Sequence, residues 1–177
     1  MNGIKLGKLA GLNLSAVPSA IMGLLVLWLA LSGIAIGLLH LPLGEALIGA
    51  LAAAALHVLS DTAHQLGHTR AARQTGHPMI GIRYWGVLSS SLYPADEPTL
   101  PAAIHIRRAL GGPIASTAVT LVAAAILLAI QMAGGSGTLW WLALFFFLDN
   151  LFVFTLGAVL PLSFTDGSTL LLWRGKP

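Results

Sequence analysis

Cysteine is absent from the 177-residue chain, which excludes both a disulfide framework and a thiolate metal site, so any bound metal has to be held by imidazole and carboxylate. Charge is also scarce. Lys, Arg, Asp and Glu supply 8% of the residues, against about 25% in soluble globular domains. No internal repeat or low-complexity segment interrupts the sequence, and residues 1–177 read as a single domain. What fills the chain instead is apolar: 56% of residues are hydrophobic and the mean hydropathy is +0.86. A chain of this composition belongs in lipid.

Four apolar runs stand out, at Pro18–Leu39, Glu45–His68, Ala109–Met132 and Thr138–Pro161, each meeting the roughly 20 residues needed to cross a bilayer core. The first follows two lysines, as a signal peptide would, but it is long and no Ala-x-Ala cleavage site follows it, so it reads as a retained anchor. If the four spans alternate, all nine Lys and Arg residues fall on one side: Lys5 and Lys8, the Arg70–Arg108 segment, and Arg174 with Lys176. The positive-inside rule then predicts cytoplasmic termini and a cytoplasmic central loop. The net charge of +3 is thereby explained by topology, and nucleic acid is not expected as a partner. The expected fold class is an α-helical polytopic membrane protein with about four transmembrane helices and small β-hairpins at the membrane face.

The hairpins are predicted from two segments. Gly3–Val17 alternates weakly around Gly7 and Gly11, and Met79–Trp85 with Val87–Tyr93 flanks Gly86 with β-branched and aromatic residues. Pro94, Pro98 and Pro101 then break the chain, and a short amphipathic stretch, Ala102–Arg108, leads to Gly111-Gly112-Pro113 at the start of the third span. Beyond Pro161 the segment is too short to span and is expected to fold back as a loop and a turn.

The sharpest chemical signal is His64-Gln65-Leu66-Gly67-His68. Histidines at i and i+4 project from one helix face and can grip one tetrahedral metal, and ionisable groups in a membrane helix are costly enough to be functional as a rule. The bland alternative is two interfacial histidines snorkelling toward headgroups. A catalytic zinc needs a third protein ligand, and Asp166 falls just past the fourth span on the same side. Taken in isolation, Asp166-Gly167 reads instead as an ordinary turn.

These segments together resemble the site-2 protease family of intramembrane zinc metalloproteases, along nearly the whole chain. KLGKLAGLNLSAVPSAIMGLL resembles the family's N-terminal strands entering the first helix, HQLGHTRAARQTGHPM its HExxH helix, GGPIAS at Gly111–Ser116 its Gly-Pro segment, and LPLSFTDGS at Leu160–Ser168 its Leu-Asp-Gly motif. The resemblance implies Zn2+ as cofactor with His64, His68 and Asp166 as ligands, and a minimal core without the PDZ or CBS domains of regulated members. It also implies a membrane-protein or transmembrane-peptide partner, beside the bilayer itself.

Three positions depart from the family pattern. Gln65 stands where the glutamate of HExxH acts as general base, and Gln cannot take a proton; loss of such a base costs about 10²–10⁴-fold. Ala158 stands where the family's Asn-x-x-Pro would place a substrate-holding amide, and Ser116 where the Gly-Pro segment often ends in Asn. The expectation is a zinc-binding homologue that hydrolyses poorly or not at all. One alternative is an active protease inactivated by an engineered Glu-to-Gln change. The other is a structural subunit of a larger complex, in which His57 or His64 ligates a pigment or haem.

Two further polar sets lie in the spans. His57, Asp61, His64 and His68 share one helical stripe, which makes Asp61 a candidate to accept the outer N–H of a ligating histidine or simply a buried Asp bonded to water or a hydroxyl. His57 lies about 16 Å from His68 along its axis, and Asp149 about 18 Å from Pro161 along the fourth span. These matched depths predict a buried His57–Asp149 contact, either a packing bond or a second metal or proton-relay site. Gly33 with Gly37 forms a small-residue face, Trp140 and Trp141 suggest an interfacial belt, and the Met79–Tyr93 hairpin offers strand edges that could take an extended peptide, as the resemblance implies, or be covered by the protein itself.

Overall fold

A computed structural model describes residues 3–176. Its frame is helical: α1 spans Pro18–Gly37, α2 Leu43–Gln74, α3 Ala102–Met132 and α4 Gly137–Asp149, the last running on as a π-helical segment, Asn150–Gly157. Four helices, counting α4 with its extension as one, are long and apolar enough to cross a membrane. Large apolar side chains such as Val26, Leu29, Ile114 and Leu121 lie exposed on their outer faces, an arrangement that lipid as solvent favours and water would penalise. The chain is an integral membrane protein.

The two predicted hairpins form, and they join. Strands β1 (Ile4–Leu9) and β2 (Leu12–Ala16) pair antiparallel, as do β3 (Gly81–Trp85) and β4 (Leu88–Leu92). Strands β2 and β3 then pair in parallel from Asn13↔Gly81 to Ala16↔Tyr84, giving one sheet ordered β1-β2-β3-β4. The alternation within each segment carried no information about that long-range pairing. Leu12 and Ile82, both fully buried, pack with Met79 against Ala72 of α2. Burial of a side chain of that size stabilises by about 1.5–3 kcal/mol relative to water, and here it seats the sheet on the end of α2.

Three element boundaries differ from expectation. Helix α2 continues past His68 to Gln74, so that its 32 residues reach about 48 Å, well beyond a hydrocarbon core of about 30 Å. The histidine pair therefore sits in the C-terminal third of a helix longer than a span requires. The amphipathic Ala102–Arg108 stretch is continuous with α3, which runs through Gly111-Gly112-Pro113 without a break. The segment after Pro161 closes with a short helix, α5 (Asp166–Trp173), preceded by Thr165 in an extended conformation. Asp166 thus opens a helix, where its carboxylate complements the helix dipole.

Among the described elements, helices α2 and α3 make the most extensive contact, and they do so backbone against backbone. A methyl group on Gly67 would overlap the Gly111 carbonyl, and one on Gly111 would meet the Gly67 carbonyl. That crossing lies one residue from each of His68 and Gly112.

Candidate metal centre

The close crossing brings three elements to one point. His64 and His68 come from α2, Asp166 from the first turn of α5, and Gly112 of α3 forms the roof. The Nε2 atoms of His64 and His68 lie 3.0 Å apart, His64 Nε2 is 3.1 Å from Asp166 Oδ2, and His68 Nε2 is 3.3 Å from Asp166 Oδ1. Gly112 is a necessity here, since a Cβ at that position would overlap both Nε2 atoms.

The outer ring nitrogens decide what faces inward. His68 Nδ1 donates to the Arg108 carbonyl at 2.7 Å, which leaves Nε2 of the neutral ring as a lone pair. His64 Nδ1 pairs with Ser116 Oγ at 2.8 Å, and with the same tautomer its Nε2 is also a lone pair. With both Nδ1 atoms protonated, two imidazole lone pairs and a carboxylate converge, a repulsive set unless a cation is shared. The three separations approach the roughly 3.3 Å edge of a tetrahedron with metal–ligand bonds of 2.0–2.1 Å. The residues therefore fit a zinc-type ion, and His64, His68 and Asp166 are the one His/Asp/Glu group of this kind among the described residues.

Asp61, a candidate outer partner, does not occupy either outer nitrogen; Ser116 and the Arg108 carbonyl do. It is buried in the cavity wall beside Ser89. Ser116, which departs from the resembled pattern, is fully buried and pairs with His64 Nδ1. Arg108 is a residue that sequence reading passed over. Its guanidinium bonds Glu97 at 2.5 and 2.9 Å and the His77 carbonyl at 2.6 Å, and it lies over the Tyr93 ring at 4.1 Å. The Arg108 hydrogen bond holds the Glu97 carboxyl below its usual range. One side chain thereby straps the Pro94–Pro101 loop to the helix whose carbonyl aims His68. The signal available was an arginine in an apolar helix start, where an unpaired charge would be costly.

Gln65 faces the cavity, its Oε1 accepting from Ser91 Oγ at 2.8 Å. The cavity, of about 610 Å³, is bounded by Trp85, Leu88, Tyr93, Phe154, Ala158 and Asp166 among others. Away from the metal group, His57 Nδ1 meets Asp149 Oδ1 at 3.0 Å, joining the two residues whose depths along their helices matched. The Phe154 ring, on the π-helical segment, stands 5.1 Å from His57 and 6.0 Å from His64.

Among known proteins, no family model and no curated sequence matches the chain. The site-2 protease from Methanocaldococcus jannaschii, a solved structure, superposes with a TM-score of 0.64 at 20% identity, over 96% of this chain and 70% of that one. With its four spans, mixed sheet and His-His-Asp group in place, the chain has the site-2 protease fold.

Proposed function

We propose that the protein is a zinc-binding, site-2-protease-like membrane protein that holds peptide but hydrolyses it poorly or not at all. The observation that carries this reading is the convergence of two imidazole Nε2 atoms and one carboxylate beneath Gly112. Zinc held there would supply Lewis acidity to a peptide carbonyl and to an attacking water. The chain's own residues limit the hydrolysis. Gln65 can hydrogen-bond a water or a carbonyl but cannot accept a proton, so the step that needs a base is slow.

An extended peptide is the occupant that the cavity suits. Strand β4 is one of the two edge strands of the sheet, and residues Leu88–Ser91 line the cavity, so its outer backbone groups can add a strand. A pigment or haem fits less well, because both His57 nitrogens are engaged and His64 Nε2 faces His68 and Asp166.

The zinc reading is tested by titrating purified protein against a competing chelator. About one tight zinc per chain is expected, and His64→Ala, His68→Ala or Asp166→Ala should each abolish it. Tight zinc retained in all three variants would sink this ligand assignment. Sidedness is expected from the placement of Lys and Arg. In the cysteine-free chain, Ser136→Cys should react with an impermeant thiol reagent applied outside intact cells, and Ser90→Cys should not; the reverse pattern would place the metal group on the outer face.

A further inference from the structure

Strand β4 is tied to α2 at both of its ends. His57, buried within α2, holds the β3–β4 turn, its Nε2 lying 2.7 Å from the Val87 carbonyl oxygen. Gln65, two turns further along the same helix, accepts from Ser91 at 2.8 Å. Between these ties, Thr62 Oγ1 meets the Tyr84 hydroxyl at 2.8 Å. The spacings agree: eight residues of helix rise about 12 Å, and four residues of strand about 13 Å. Strand β4 therefore runs lengthwise along α2, in the same direction, from the level of His57 to the level of the metal group.

The His57 tie depends on Asp149. A carbonyl oxygen only accepts, so Nε2 carries a hydrogen. The Asp149 oxygens lie 3.0 and 3.2 Å from Nδ1 and fix the ring orientation wherever the second proton of the pair resides, on the imidazole or on the carboxyl. Phe154 packs against the ring from the π-helical segment that begins just after Asp149. On its far side the turn is confined by α1, since a methyl group on Gly23 would overlap the Gly86 backbone. Neither residue of the pair touches the metal group.

We infer that His57, oriented by Asp149, is a positioning residue that fixes the register of β4 along α2, and with it the register of an extended peptide laid on that edge. A slip of one residue would turn every side chain of the strand to its other face and would part Ser91 from Gln65. The peptide half rests on the capture reading above; the positioning half does not.

Hydrogen–deuterium exchange of the full chain in detergent micelles tests the positioning. His57→Leu and His57→Asn, the first without a donor and the second too short to reach Val87, should speed exchange across residues 84–92 by about tenfold, as loss of one buried hydrogen bond would. His57→Gln, which keeps a donor of nearly the right reach, should stay near the parent, and all three should still take up zinc. Unchanged exchange in His57→Asn, or exchange in His57→Gln as fast as in His57→Leu, overturns the inference. His57→Asn preserves a polar side chain and so decides the matter if His57→Leu does not fold. The peptide half is read with a photoreactive residue in place of Leu88. The parent should cross-link one position of a strand-forming peptide, and His57→Asn should spread the cross-links over neighbouring positions. A parent that cross-links nothing sinks peptide capture while leaving the exchange result to stand, and a single unchanged position in His57→Asn overturns register control.

Discussion

Gly112→Ala should lower zinc affinity by at least about 100-fold, more than loss of a single outer-shell partner usually costs. The added methyl group would overlap the Nε2 atoms of both His64 and His68, and the structure offers two ways to relieve it. Helix α3 could withdraw from α2, but the Gly67–Gly111 backbone contact sets their separation, and forcing packed elements apart typically costs about 1–3 kcal/mol. Alternatively both imidazoles could rotate, which would break the Nδ1 bonds to Ser116 and the Arg108 carbonyl. Either route takes the lone pairs off their common point. Gly33→Ala is the control, since nothing lies near a Cβ there, and its zinc affinity should equal that of the parent. Parent-like affinity in Gly112→Ala would mean that the metal binds elsewhere.

Gln65→Glu by itself should give little hydrolysis, and Gln65→Glu with Ala158→Asn considerably more. The single change restores a base next to His64, and a positioned base is worth about 10²–10⁴-fold. Ser91 can still donate to the new carboxylate, so the side chain keeps its tether. Chemistry also needs the scissile bond aligned, and misplacement alone can cost about 10²-fold. Ala158, buried in the cavity wall, presents only a methyl group where the resembled proteases place an amide. The assay is cleavage of a helix-unwound membrane peptide by purified protein. Full activity from Gln65→Glu alone would overturn the naturally inactive reading and favour an engineered inactive protease.

The parts of this molecule legible in its sequence were those written in local periodicity and depth. Hydropathy placed the spans, the i, i+4 spacing put two imidazoles on one helix face, and residue counts along two helices brought His57 to Asp149, 92 positions apart. What was not legible depended on how elements cross. Asp61 shares the stripe of His64 and could have been either the outer hydrogen-bond partner or a separately buried Asp, yet α3 approaches so closely through Gly111 and Gly112 that Ser116 and the Arg108 carbonyl take both outer nitrogens. Gly-Gly-Pro suggested a helix start, but the Pro113 turn is absorbed into a continuous α3. The parallel β2–β3 pairing joins Asn13 to Gly81 and Ala16 to Tyr84 across the whole of α1 and α2, and alternation within either hairpin does not encode it. Arg108 was overlooked because its role is set by Glu97, Tyr93 and the His77 carbonyl, which are brought to it only by the folded loop.

The proposed zinc site is tested most directly by X-ray absorption at the zinc edge on protein purified without added metal. The account predicts about one zinc per chain, with two imidazole nitrogens at about 2.0–2.1 Å and a carboxylate oxygen at about 2.0–2.2 Å in a four-coordinate shell. Folded protein that carries no zinc and takes none up, or a zinc shell without imidazole, would contradict it.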